Sequence, residues 1–354
     1  MKRLDVAAIA LAAAVGLGHA GSAESAMNID VASTFPKDMV YLGEGAENLA
    51  DLLEDVSNGE IRLRIHGAGD LVPALEVFNA VSSGAVQAGW DWVGYWAGTV
   101  PVNGIIGAMP FGPTPEVFLG WMYYGGGLEI LQKAYDQYNV QVFPCHLTAP
   151  EAGGWFQKEI NAPEDFQGLR IRISGIGGKV LNELGASTQL IPGGEIYLAL
   201  ERGRIDATEF SLPIIDKTLG FADIAKYYYF PGWHQPASWN SLIINKDVWS
   251  EFSEEQQQMV WAACKANIIW SMGTAPGAQA DVLNELREAG VDVRRFPDEV
   301  LATLRDTSQK VLEQEAETDP IFKEAYDSLT AYMEKAASWH DLQALPRGIG
   351  AAGG

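Results

Sequence analysis

Residues 168–210 read GLRIRISGIGGKVLNELGASTQLIPGGEIYLALERGRIDATEF. The pattern predicts a strand over Leu169–Ile173, a glycine turn, a helix over Gly178–Leu184 and a strand over Thr188–Ile191. A second helix over Gly194–Glu201 and a third strand over Ile205–Phe210 follow. The helices rest on the apolar spacing of Val180, Leu181 and Leu184, and of Ile196, Leu198, Ala199 and Leu200, with Gly185 and Gly203 as C-terminal stops. Strands alternating with short helices imply a parallel sheet, whose ligands sit beyond the carboxyl ends of the strands. Arg172 falls at the end of the first strand and Glu209 at the end of the third. A guanidinium and a carboxylate converging on one cleft make a site for an anion, with a cation as a possible neighbour. The plainer alternative is that Arg170 and Arg172 are solvated charges on one strand face, with Ile171 and Ile173 on the other.

Charge sharpens the interest of Arg172. The 354 residues hold 24 Lys and Arg against 46 Asp and Glu, a formal net charge of −22. Such a chain is a poor nucleic-acid binder, because phosphate contact depends on basic side chains. Binding any anion against that bulk charge needs a local basic anchor. Met1–Ala23 has the form of a secretory signal peptide: Lys2 and Arg3, an apolar run over Val6–Leu17, and small residues before a cut after Ala20 or Ala23. The run is too short to span a membrane, and no later stretch reaches that length. Cys145 and Cys264 could pair in an oxidising compartment, although their spacing does not settle it. There is no CxxC or HExxH spacing, and His19, His66, His146, His234 and His340 are scattered.

The length suggests two domains. In the first, strands are expected at Met27–Thr34, Ile61–His66, Val86–Trp92 and Val140–Phe143, with helices at Tyr41–Val56, Glu76–Ser83 and Val117–Tyr138, the last interrupted at Gly125–Gly127. The WDWVGYW cluster (Trp90, Trp92, Tyr95, Trp96) reads either as core or as the wall of a ligand pocket. Residues 148–154 read as one crossing between lobes and the aromatic segment Tyr227–Pro236 as a second, flanking a strand at Trp155–Gln157. Beyond these, a strand is expected at Ser241–Asn245, helices at Asp247–Ile269 and Ala278–Ala289, a strand at Asp292–Phe296, and helix over Glu299–Lys335 broken at Asp319-Pro320. Residues 24–149 with 237–275 would form one lobe, and 150–236 with 276–345 the other. Two α/β lobes joined by crossings make a hinged cleft that closes around small ligands.

The ordered succession VASTFPKD, HGAGDLVPALEVFNAVSSGAVQAGW, MPFGPTPEV, GGWFQKEI, GLRIRISGIGGKVLNELGA, IPGGEIYLALERGRIDATEF and KYYYFPGWHQP resembles the solute-binding proteins of tripartite ATP-independent periplasmic (TRAP) transporters. The likeness is to the branch that takes 2-oxo and hydroxy acids. It implies a two-lobed, non-enzymatic α/β periplasmic protein with long C-terminal helices, which hands a small organic acid to membrane permease subunits. By that resemblance Arg172 grips the substrate carboxylate, Tyr95 lines the pocket, and Phe35 and Trp96 are further wall candidates. A Na⁺ or Ca²⁺ ion would be held by Glu151, Glu209, the Phe210 carbonyl and Gln235. Two positions depart from the family pattern: Glu151 stands where a glutamine is usual and Gln235 where a glutamate is usual. The carboxylate count is unchanged and every position still offers oxygen, the donor hard cations take. A cation beside the carboxylate would chelate an adjacent oxo or hydroxyl oxygen, selecting 2-oxo or 2-hydroxy acids. Ser174, Ser211 and Leu212 could leave room for a longer acid. The C-terminal helix, which swaps between two chains in some members, could support a homodimer or pack across its own lobes. Two other readings stay open: an exported hydrolase or lyase using Glu151 and Glu209, and the sensory partner of a signalling receptor.

Overall fold

The computed structural model describes residues 26–344. The expected signal peptide and the end of the chain lie outside that range. The chain opens with β1 (Met27–Ser33), α1 (Leu42–Val56), β2 (Ile61–His66), α2 (Val77–Ser82) and β3 (Ala88–Trp92). Next come α3 (Asn103–Ile106), α4 (Pro115–Tyr124), α5 (Gly127–Tyr135) and β4 (Val140–Thr148). In β2 the alternation works as written: Ile61, Leu63 and Ile65 are buried while Arg62 and Arg64 are exposed. In α1 the residues Ala46, Leu49, Ala50 and Leu53 form the buried stripe.

After Ala149–Gly153 the chain enters a second layer: β5 (Gly154–Phe156), β6 (Arg170–Arg172), α6 (Gly175–Glu183), β7 (Ser187–Gln189), α7 (Ile196–Glu201), β8 (Ala207–Thr208), α8 (Pro213–Thr218) and β9 (Tyr227–Phe230). It returns through β10 (Ser238–Asn245) and α9 (Lys246–Trp249), then runs on as α10 (Glu254–Glu288), β11 (Asp292–Arg295), α11 (Asp298–Thr318) and α12 (Pro320–Gln343). Two sheets result, ordered β2-β1-β3-β10-β4 and β11-β9-β5-β8-β6-β7. Parallel pairing holds for β6 with β7 and β8, as expected, and for β1 with β2 and β3. Both sheets are nonetheless mixed, because strands arriving from the other lobe run against their neighbours: β10 against β3 and β4, β5 against β8 and β9.

Three expectations change. Tyr227–Phe230 is a strand of the second sheet with Tyr228 and Tyr229 fully buried, so the second crossing begins only at Pro231. The helices expected at Asp247–Ile269 and Ala278–Ala289 are replaced by short α9, a break, and one 35-residue helix, α10, that bridges the lobes. Ser253 sets its start by accepting the Gln256 N–H at 3.2 Å. Pro276 removes one backbone donor without ending the helix; Gln279 just beyond it accepts the Ile214 N–H at 3.1 Å and ties this half to α8. Third, the C-terminal region is divided between lobes. Ion pairs Lys179–Glu315 and Lys310–Glu183 join α11 to α6, while the Trp121 indole donates to Ser328 at 3.0 Å and joins α12 to α4. The break at Asp319-Pro320 falls as expected, with Asp319 capping the Phe322 N–H at 2.7 Å.

Cys145 on β4 and Cys264 on α10 form a disulfide, closing a sequence separation of 119 residues. Loop-closure entropy for so long a loop is worth about 4–5 kcal/mol. Reduction should therefore shift the urea midpoint strongly downward, and a Cys145→Ala, Cys264→Ala double variant should match the reduced protein. Equal midpoints with and without reductant would show that the crosslink adds nothing.

Candidate functional site

The cleft site is assembled from strand ends and crossings. β6 delivers Arg172 and the end of β8 delivers Glu209, side by side in one sheet, as Arg172 pairs with Thr208. Arg172 is buried, unlike its neighbour Arg170, which is the solvated edge charge of the plainer reading and pairs with Asp206 at 2.6 Å. The Arg172 guanidinium is fully engaged on one side: Nε donates to the Ile191 carbonyl at 3.1 Å, and Nη1 to the Glu209 carbonyl at 2.6 Å and to Glu209 Oε1 at 2.7 Å. Its Nη2 has no protein partner among the described residues. Phe210 lies under the guanidinium, 5.2 Å from ring centroid to Cζ. Glu209 also accepts the Ser174 N–H at 2.9 Å, at the start of α6. Burial pushes the Glu209 carboxyl up, but Arg172 and His234 outweigh it and hold it below the usual range.

The two crossings are bonded to each other. Glu151 N–H donates to the Gln235 carbonyl at 3.3 Å and Gly232 N–H to the Glu151 carbonyl at 3.1 Å. A Cβ at position 232 would sit 2.3 Å from that carbonyl oxygen, so the approach requires glycine. This places Glu151 and Gln235 together at the hinge. Glu151 Oε1 accepts the Ser211 hydroxyl at 3.0 Å, and Oε2 is buried with no partner. Burial raises the Glu151 carboxyl well above its ordinary value, and facing Glu209 adds to the effect. Behind Ser211, buried Asp216 accepts the Ser211 N–H at 3.1 Å, the Trp155 indole at 3.0 Å and the Tyr228 hydroxyl at 2.9 Å.

One cleft, with about 300 Å³ free of protein atoms when the open solvent at its mouth is counted, is lined by Arg172, Tyr95, Glu151, Phe35, Glu209, Phe210 and Gln235. These are all the residues expected from the sequence except Trp96. That side chain turns into the core, where it packs on Phe78 with centroids 5.4 Å apart and donates to buried Asp91. Ser174 and Ser211 are in the lining, while Leu212 is in the core. Trp92, from the aromatic cluster read as core or pocket wall, is in the lining, while sequence reading missed Leu42, Thr148, Ser238 and Asn240 there. It also missed His234, whose Nε2 lies 3.3 Å from Glu209 Oε2 without hydrogen-bond geometry. For Asn240 the sequence carries no signal, since it lies mid-strand.

The donor set fits a hard cation. Donor atoms of Glu151, Glu209 and His234 lie within 4.8 Å of one another. Glu151 Oε2 is orphaned, no donor among the described residues bonds the Phe210 carbonyl, and Gln235 spends its amide nitrogen on Ser238 at 3.0 Å, leaving its oxygen free. Oxygens left bare among buried carboxylates suit Na⁺ or Ca²⁺.

Two α/β lobes with a charged, buried cleft at their hinge define an extracytoplasmic solute-binding protein. Residues 32–319 match bacterial extracellular solute-binding protein, family 7, and the chain belongs to that family of transporter substrate-binding proteins, which are not enzymes. A relative in Nostoc sp. (strain PCC 7120) is described as a monocarboxylate 2-oxoacid-binding periplasmic protein; it is 34% identical over 301 residues, 85% of this chain and 83% of its own. A TRAP periplasmic solute-binding protein of Colwellia psychrerythraea with bound calcium and pyruvate superposes with a TM-score of 0.85 at 34% identity, over 90% of this chain and 97% of its own. Another, from Pseudoalteromonas atlantica T6c with bound sodium and pyruvate, gives 0.86 at 32% identity, over 91% of this chain and 100% of its own. No helix among the described residues is long and apolar enough to cross a membrane.

Burial lifts the Asp216 carboxyl to about 7 against three hydrogen bonds that favour its charge. A carboxyl raised on folding binds more protons in the native state, so stability falls as pH rises from the ordinary carboxylate range and levels off above about 7. Thermal midpoints of ligand-free, chelator-treated Asp216→Asn should show a flatter slope across that window than those of the unmutated protein. Identical slopes would mean that Asp216 is charged throughout.

Proposed function

We propose that this chain captures a small 2-oxo or 2-hydroxy monocarboxylate in the periplasm, together with a Ca²⁺ or Na⁺ ion, and delivers it to the TRAP permease. The observation that carries this reading is the buried ion pair of Arg172 with Glu209, faced by Glu151, whose Oε2 is orphaned. Arg172 offers its free Nη2 to the ligand carboxylate; the other side of the fork is spent on Glu209, so the grip is narrower than a free two-pronged one. Glu151, Glu209, the Phe210 carbonyl and Gln235 would hold the cation, and His234 stands close enough to Glu209 to join them. When bound, the ion supplies positive charge to the carboxylate and to the oxygen on the next carbon. Tyr95 and Phe35, in aromatic contact at 6.4 Å, close the wall above. The relatives above that carry pyruvate with calcium or sodium support the same ligand class here. They favour solute transport over the hydrolase and sensory readings.

Calorimetric titration of the chelator-treated protein with pyruvate tests this. Binding should require added Ca²⁺ or Na⁺, and Arg172→Ala should weaken it by about a hundredfold, as loss of a charge-assisted contact implies. Glu151→Gln, which leaves Glu209 as the carboxylate among the proposed cation ligands, should raise the cation concentration that pyruvate binding requires. Tight pyruvate binding in the absence of any metal would remove the chelate.

We also propose that two chains associate through the distal turns of α12. Trp339 and Leu342 project there with 61% and 81% of their surface exposed, an unusual display of large apolar groups. Light scattering after size exclusion should give twice the chain mass, and Trp339→Lys should return the monomer. A monomeric parent protein would end this reading.

A further inference from the structure

The cavity wall contributed by the first lobe is polar in a way that the carboxylate and the cation do not use. Trp92 on β3 and Asn240 on β10 are directly opposed in the antiparallel ladder, and Asn240 is in turn opposed to His146 on β4. Residues opposed in this way project from the same sheet face, so the three side chains form a row. Asn240 is 1% exposed, and its Nδ2 donates to Thr148 Oγ1 at 3.1 Å and approaches His146 Nδ1 at 3.2 Å. Its Oδ1 is buried with no partner, as are Trp92 Nε1 and, from the other lobe, Ser174 Oγ. All three residues line the cavity. Turning the Asn240 amide over would exchange an acceptor for a donor and would still leave one polar atom unmatched.

Buried polar atoms without partners are costly, and a binding site that carries them is built to meet a polar group. Trp92 can only donate, Asn240 accepts, and Ser174 does either. An aliphatic ligand tail would seal all of them away from water unpaired. A hydroxyl, which donates and accepts at once, satisfies the set.

Resting on the carboxylate reading above, we infer that Trp92, Asn240 and Ser174 form a subsite for a hydroxyl group on the ligand's tail. The solute is then a hydroxylated 2-oxo acid rather than an unsubstituted or branched-chain one. His146 and Thr148 act as positioning residues that fix the Asn240 amide.

The test uses isosteric pairs differing by hydroxyl against methyl: 3-hydroxy-2-oxopropanoate against 2-oxobutanoate, and 4-hydroxy-2-oxobutanoate against 2-oxopentanoate. Each is titrated calorimetrically into the full exported protein with calcium present. The hydroxylated member of at least one pair should bind about tenfold or more tightly, the scale of one buried hydrogen-bonding group left unpaired. In Asn240→Ala and in the milder Trp92→Phe, which keeps an aromatic ring but removes the indole N–H donor, that ratio should collapse towards one. Because the readout is a ratio within each variant, a general loss of affinity does not imitate the effect. Measurable binding of all four acids with ratios near one would overturn the subsite, with ordered water filling the wall, and leave the carboxylate reading intact. A ratio that survives in Trp92→Phe and Asn240→Ala would equally overturn it. Failure of all four, and of pyruvate, to bind with any cation would overturn the carboxylate reading itself and the subsite with it.

Discussion

A buried arginine facing buried carboxylates is the constraint around which this molecule is arranged. Withdrawing such charges from water costs several kcal/mol for each ion, and a buried pair recovers that only with close geometry and further hydrogen bonds. Arg172 and Glu209 meet both conditions, with one direct contact at 2.7 Å and the surrounding backbone donors and acceptors drawn in. Glu151 does not meet them. It faces Glu209, receives one hydroxyl, and leaves an oxygen bare. The pocket therefore holds more potential negative charge than Arg172 can balance. A proton can relieve the excess, and so can a cation that brings an anionic ligand with it. The second route couples ion and acid in one binding event, which a neutral pocket could not do.

That charge arrangement also explains why the site stands at the hinge. Arg172, Ser174, Glu209 and Phe210 belong to the second lobe, whereas Phe35, Trp92, Tyr95 and Asn240 belong to the first. Glu151 and Gln235 sit on the crossings between them and are joined by backbone hydrogen bonds. A ligand in the cavity touches both lobes and both crossings at once. Its binding energy is thus available to bias the angle between lobes, the only kind of differential contact that can shift such an equilibrium. The lobes are tied by their helices: α10 is continuous from one lobe to the other, and α11 and α12 clasp one lobe each.

Much of this was legible in the sequence because it depended on local pattern. Alternation marked β2, the glycine stops at Gly185 and Gly203 adopt the positive φ that such stops need, and the strand-end logic for Arg172 and Glu209 led to one cavity. What escaped depended on distant packing. Tyr227–Phe230 read as a linker because two prolines follow it, yet pairing with β5 and β11 makes it a strand. Two helices were expected, ending at Ile269 and resuming at Ala278, yet α10 runs unbroken through Pro276, with Gln279 tied to α8. Trp96 and Trp92 stand four residues apart in the same aromatic cluster, and only the 3-10 turn after β3 decides that one enters the core and the other the cavity wall. Asn240 was invisible for a similar reason: its role follows from the neighbours that β10 acquires when the chain returns from the other lobe.

The exchange of residue types between the two crossings that the family resemblance implies would have a physical consequence of its own. Glu151 is tied through Ser211 to Asp216, and Asp216 to Trp155 and Tyr228, so the carboxylate at this position is braced by the core of the second lobe. Gln235 is braced instead by Ser238, at the start of a first-lobe strand. A carboxylate at position 151 is therefore supported by the second lobe, where Arg172 and Glu209 already lie, whereas one at position 235 would be supported by the first. The formal charge of the site is then held on the second lobe and the crossing braced by it, and the first lobe's wall of Phe35, Trp92, Tyr95 and Asn240 is uncharged. On the proposed reading, the charged groups would take the cation and the carboxylate, and the neutral first-lobe wall would meet the rest of the ligand, where an unmatched hydrogen bond discriminates.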